Sequence, residues 1–250
     1  MNSANVAVFA VLAALMTPLP SADYAHGAAP QAQYVLAMSK DDKICKPLLA
    51  VYNRNISLDL GPKSQPYPYP WPAPSQVSLK WTTKKWQGLA HDQRVLEKAY
   101  TVAEADVDGD GRMNIVVRLA AWLRSDDRFT SLTVFPGGTV LPDQMDQYKR
   151  FEPQQAVATV VAGGYDLPKL NRRVQPTALN DFDVIRFGGR EFVTGKTVEM
   201  DGIVELKNVP RWRVVSRVRI AASPNRPEPD LDKVLDSVCY FQLKASPSKG

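Results

Sequence analysis

From Tyr100 onward the apolar residues fall in short β-branched and aromatic runs, many alternating with polar neighbours, and glycine or proline interrupts them repeatedly. A period of two punctuated by turn formers predicts short strands with one face buried. Phe129 to Phe135 and Ala156 to Ala162 read as strands of this kind. Asp183 to Val193 (DVIRFGGREFV) reads as a hairpin about Gly188-Gly189, which sets Ile185 opposite Phe192 and Arg186 opposite Glu191. Val198 to Leu206 reads as another, turning at Asp201-Gly202.

Before Tyr100 the pattern changes. Asp41 to Asn55 (DDKICKPLLAVYNRN) puts Ile44, Leu48, Val51 and Tyr52 on one face, with acidic residues first and basic residues last, as in a short amphipathic helix. Pro47 is then expected in its first turn, where a missing N–H costs nothing. Ser64 to Ser75 (SQPYPYPWPAPS) alternates proline with aromatic residues and reads as an extended polyproline connector. His91 to Ala99 (HDQRVLEKA) reads as a second short helix. The fold class expected is α+β, mainly antiparallel β with a few short helices.

At the N-terminus, Val6 to Met16 is an uninterrupted apolar run, followed by Thr17-Pro18-Leu19-Pro20. Its length suits the core of a signal peptide and falls short of the roughly 20 residues that span a bilayer. Export to the periplasm or cell exterior is therefore expected, and an uncleaved anchor is the competing reading. The organisation expected is a leader over 1–25, a helix and Pro-rich connector over 26–78, and a mainly-β domain over 79–250. With 44% hydrophobic residues the remainder can build a real core. The balance of 31 basic to 26 acidic residues is too mild to name a partner. Cys45 and Cys239 are the only cysteines, so an oxidising compartment allows a single intramolecular disulfide. Two buried free thiols are the plainer alternative.

One segment carries clear chemistry. Asp106-Val-Asp108-Gly-Asp110-Gly111-Arg112-Met-Asn114 lies between the apolar runs Tyr100–Ala105 and Ile115–Val117. Aspartates at positions one, three and five, glycine at six and Asn at nine are how a short loop wraps oxygens around one hard cation such as Ca²⁺. The backbone carbonyl of Arg112 and the side chain of Asn114 complete the ligand set expected. An EF-hand would need a bidentate Glu at position twelve, which is Val117, and helices on both flanks. The string from Asp106 to Val117 instead resembles the calcium loop of FG-GAP and VCBS repeats, the integrin-type β-propeller repeats. That resemblance implies a calcium loop joining two strands; it covers this one segment, and the rest of the chain shows no second copy. A solvated acidic turn without metal is the alternative.

Arg211 to Ile220 (RWRVVSRVRI) reads as a strand with Arg211, Arg213, Arg217 and Arg219 on one face and Trp212, Val214, Val218 and Ile220 on the other. Such a stripe suits an anionic polymer or surface of the cell envelope. A sheet face whose arginines pair with acids on adjacent strands is the plainer and favoured reading. Catalytic signatures are missing: the chain has no G-x-S-x-G, H-E-x-x-H or Walker motif, and only His26 and His91. Two functional classes remain from the sequence. One is a non-catalytic envelope protein with a structural calcium that binds another protein or an anionic component, nucleic acid being disfavoured. The other is a hydrolase using a carboxylate pair that leaves no local signature.

Overall fold

The computed structural model describes residues 32–56, 74–88, 99–122, 128–161, 163–165, 177–179, 181–196, 211–220 and 234–244. Within them the chain forms β1 (Gln33–Ser39), α1 (Asp42–Arg54), β2 (Thr82–Lys85), β3 (Ala99–Ala105), β4 (Asn114–Trp122) and β5 (Arg128–Phe135). There follow α2 (Met145–Gln155), β6 (Ala158–Val160), β7 (Gly163–Tyr165), β8 (Thr177–Leu179), β9 (Asp181–Phe187), β10 (Arg190–Lys196), β11 (Arg211–Val218) and β12 (Leu235–Lys244). The first sheet runs β1-β12-β11-β10-β9 and the second β2-β3-β4-β5-β6, with β7 and β8 as a separate pair. Every strand pairing is antiparallel, so the described chain is mainly antiparallel β with two short helices.

The layers follow from which face each strand buries. Ala103, Ala105, Val116, Leu132 and Val134 of the second sheet meet Phe182, Val184, Val193, Trp212, Val214 and Tyr240 of the first in one shared core. On the other side of the first sheet, Ile44, Leu48 and Tyr52 of α1 pack on Ile185, Phe192, Val215 and Phe241. On the other side of the second sheet, Tyr148 of α2 packs with Trp86, Tyr100, Ile115, Val117 and Phe135. Trp86 and Tyr100 stack there at a centroid distance of 4.0 Å. Each sheet thus has apolar residues on both faces, one against its partner sheet and one under a helix.

Several sequence expectations are met in detail. The Gly188-Gly189 hairpin places Ile185 opposite Phe192 and Arg186 opposite Glu191, and the latter pair forms a 2.7 Å ion pair. Both glycines adopt positive φ, 59° and 73°, as a two-residue hairpin turn with right-handed strand twist requires. The strand readings at 129–135 and 156–162 appear as β5 and the shorter β6. Helix α1 is N-capped by Asp41, whose side chain accepts the Lys43 N–H at 3.1 Å.

One expectation is corrected. Pro47 lies in the second turn of α1, because the helix already starts at Asp42 under the Asp41 cap. Its ring therefore removes one interior hydrogen bond, that to the Lys43 carbonyl. Six elements have no specific counterpart in the sequence reading: β1, β2, α2, β7, β8 and β12. The Pro-rich stretch up to residue 73, His91 to Lys98 and the Asp201-Gly202 hairpin lie outside the described residues, as do His26 and the apolar leader. Ala99, read as the end of a helix, opens β3.

Cys45 and Cys239 form the disulfide, across 194 residues of sequence. Its formation depends on a bulge. Opposite β11, Val215 pairs with Cys239 and Ser216 with Ser237, which leaves Val238 as an extra residue in β12. Leu235 faces the inter-sheet core before the bulge and Tyr240 after it, so the parity of the strand switches at Val238. Cys239 and Phe241 are thereby turned toward α1, where Cys45 waits.

Candidate metal centre

The aspartate loop is the tip of the β3–β4 hairpin, whose last pair is Ala105 with Asn114. Gly109 and Gly111 take φ of 77° and 87°, a left-handed backbone open to glycine at little cost. This curvature turns the loop's N–H groups inward onto Asp106, whose Oδ1 accepts from Gly109 at 2.8 Å and Oδ2 from Gly111 at 3.1 Å. Asp110 Oδ1 likewise accepts from the Arg112 N–H at 2.7 Å. The carboxylates of Asp106, Asp108 and Asp110 are thereby brought together, each offering an oxygen within 4.8 Å of the others. Among the described residues this is the one group of three or more carboxylate, imidazole or thiol side chains so arranged.

Two properties of the cluster bear on a cation. Partial burial raises the Asp108 carboxyl above its ordinary value of 3.8; the hydrogen bond from the Asp110 N–H opposes this, and the side chain of Asp106 and the charge of Asp110 add to it. At the closing end of the loop, Asn114 is only 5% exposed, and its Oδ1 is buried with no hydrogen-bond donor. A buried amide oxygen left without a partner costs about 1 to 3 kcal/mol. Asn114 stands at the ninth position of the loop, cross-strand from the residue that precedes Asp106. The donors that the loop residues could supply, three carboxylates and an amide oxygen, are all hard oxygens, suited to calcium or magnesium rather than to a thiophilic metal. Arg112 is exposed, and its N–H is already used on Asp110.

The loop also reaches the other sheet. Val107 is fully buried in the inter-sheet core, and its carbonyl accepts the N–H of Val218 at the end of β11 at 2.9 Å. Asp106 and Asp108 thus flank a residue at which the two sheets are joined by main chain.

The basic stripe takes a different form from the sequence expectation. Its strand and its alternation are present: Trp212, Val214 and Val218 enter the inter-sheet core from β11. The expectation of one exposed cationic face is corrected at Arg213, which is 5% exposed with its guanidinium 4.4 Å above the Tyr52 ring and 6.0 Å from that of Tyr34. The reason is α1, which covers this face of the sheet and brings Tyr52 down onto it. Arg219 is exposed and lies 3.3 Å from Asp236, which also holds Lys40 at 2.8 Å. Arg217 is half-buried against Gly109 of the aspartate loop. The Arg211 side chain lies outside the described residues. Ile220, beyond the end of β11, is 39% exposed.

A second polar group closes the edge where the sheets meet. Asp183 of β9 receives Arg118 of β4 at 2.7 Å and the Trp81 indole N–H at 3.0 Å, and the Arg118 guanidinium sits 4.2 Å over the Trp81 ring. Asp181 lies 3.5 Å from Lys196, and the Thr130 hydroxyl both accepts the Phe182 N–H and lies 3.2 Å from Asp181. Burial pushes the Asp183 carboxyl up, and Arg118 opposes that. These two carboxylates are each matched to a cation, so their geometry is that of a seam between sheets. Sequence reasoning did not find this seam, because its members lie on four strands and around Trp81, with no local pattern.

Comparison with protein-family models, with curated proteins and with solved structures finds no match to this chain.

Proposed function

We propose that this is an exported, non-catalytic binding or structural protein of the cell envelope, whose loop 106–114 holds one calcium ion as a structural clamp between two β-sheets. The observation that carries the reading is the joint one at the loop: three carboxylates within 4.8 Å and, at the ninth position, a buried Asn114 oxygen with no donor. Asp106, Asp108, Asp110, the Arg112 carbonyl and Asn114 would hold the ion, which would neutralise the mutual repulsion of the aspartates. Because Val107 ties the loop to β11, charge neutralisation there would stiffen the junction of the sheets. Catalysis is not assigned to the ion, since calcium acidifies bound water far less than zinc does.

Export is supported by the Cys45–Cys239 disulfide, a bond that persists in oxidising compartments. Among the described residues no helix is long and apolar enough to cross a membrane. The test is whether calcium raises the unfolding midpoint of the chain and whether Asp108→Asn removes that rise. A midpoint indifferent to calcium would reduce the loop to a solvated turn.

A further inference from the structure

We infer that Arg217 is a built-in counter-charge for the aspartate loop, weakening its affinity for calcium while supporting the loop when the ion is absent. The inference rests on the calcium reading above, and so on the Asn114 oxygen as well as on the three carboxylates.

The placement of Arg217 is dictated by two elements. Its strand, β11, runs up to the loop, and the next residue, Val218, donates its N–H to the Val107 carbonyl at 2.9 Å. Its side chain then passes Phe192, with the guanidinium carbon 5.8 Å from that ring, and ends against Gly109. The approach is close: a Cβ on Gly109 would lie 2.5 Å from Arg217 Nη1 and 2.9 Å from its Cζ. Gly109 is flanked by Asp108 and Asp110, so the cation stands beside the chain segment that carries two of the three carboxylates. Glycine is favoured here by its φ of 77°, and a Cβ would displace the guanidinium from its place.

A fixed positive charge in this place has opposite effects on the two states of the loop. Without the ion, the loop beside it carries three carboxylates and attraction prevails. With a divalent ion bound, most of that negative charge is neutralised and the attraction is largely lost. Arg217 therefore favours the ion-free loop over the loaded one, and by reciprocity it lowers calcium affinity by the same factor. A unit charge near a divalent site in a largely solvated loop shifts the binding constant by about 5-fold. Such weakening suits a site meant for the high calcium of an extracellular setting.

The experiment is calcium titration by calorimetry of the full chain at low ionic strength, for the parent, Arg217→Gln, Arg217→Met and Arg217→Lys. Arg217→Met keeps an unbranched apolar stem beside Phe192, so it covers the case in which Arg217→Gln fails to fold. The neutral variants should bind calcium about 5-fold more tightly than the parent, with Arg217→Lys within about 2-fold of it. In EDTA the same neutral variants should unfold at lower temperature, and saturating calcium should narrow that gap. Folded neutral variants with unchanged or weaker calcium affinity would overturn the inference and leave the metal site intact. No calcium binding by the parent would overturn both.

Discussion

Asn114 separates a metal site from an acidic turn more sharply than the aspartates do. Carboxylates at a hairpin tip tolerate water, whereas a buried amide oxygen with no donor carries a desolvation cost that a bound cation would relieve. Asn114→Leu is therefore expected to hold or raise stability in EDTA by about 1 kcal/mol while losing most of the response to calcium. Denaturant unfolding with and without calcium measures both, and a variant that kept the parent's calcium response would exclude Asn114 from the site. Arg213 makes the contrasting case, because its charge lies under α1 on the rings of Tyr52 and Tyr34. Arg213→Ala should cost roughly 2 to 4 kcal/mol in urea unfolding, whereas a surface arginine would cost less than about 0.5. The aspartate spacing was legible because ligand geometry is local. The burial of Arg213 was not, since period two reports which residues share a face and not what covers that face.

The hairpins and the disulfide bulge show where local pattern serves and where it ends. Gly188-Gly189 determined its turn and its register, because a two-residue loop needs positive φ at both positions. Strand β1 has no clean alternation, and its place beside β12 is set by a partner about two hundred residues away, as Tyr34 with Leu243 shows. Helix α2 is mostly polar, carries Pro153 and buries Tyr148 alone among its residues, so its period is faint. The bulge at Val238 leaves no sequence mark, yet it decides that Cys239 faces α1. Around it, Asp236 binds β1 and β11 to β12: the hydrogen bond from Lys40 first, and then Arg219, hold its carboxyl below the ordinary 3.8. A carboxyl lowered by folding adds stability above its unfolded value, and that stability is lost as pH falls through the lower folded value. Asp236→Asn should therefore flatten the acid limb of stability below about pH 4, with little change in slope above it. An acid limb identical to the parent's would show that these ion pairs contribute nothing.

Two antiparallel sheets, each covered by a helix on its outer face, share one core, and three devices hold the assembly at its joints. The disulfide fastens α1 to β12, the Asp181/Asp183 group closes the seam between β9 and the second sheet, and the aspartate loop joins β3–β4 to β11. The first was legible from cysteine count and the third from spacing. The seam was not, because tertiary pairing of β4, β5 and β9 creates it. If calcium clamps the third joint, its effect is global, since the loop is anchored in both sheets. The measurement that tests this most directly is thermal unfolding in excess EDTA, in millimolar calcium and in millimolar magnesium. Calcium well above its dissociation constant should raise the midpoint by about 5 °C, with a smaller response to magnesium and none in Asp108→Asn. Superimposable curves in EDTA and calcium would contradict the account.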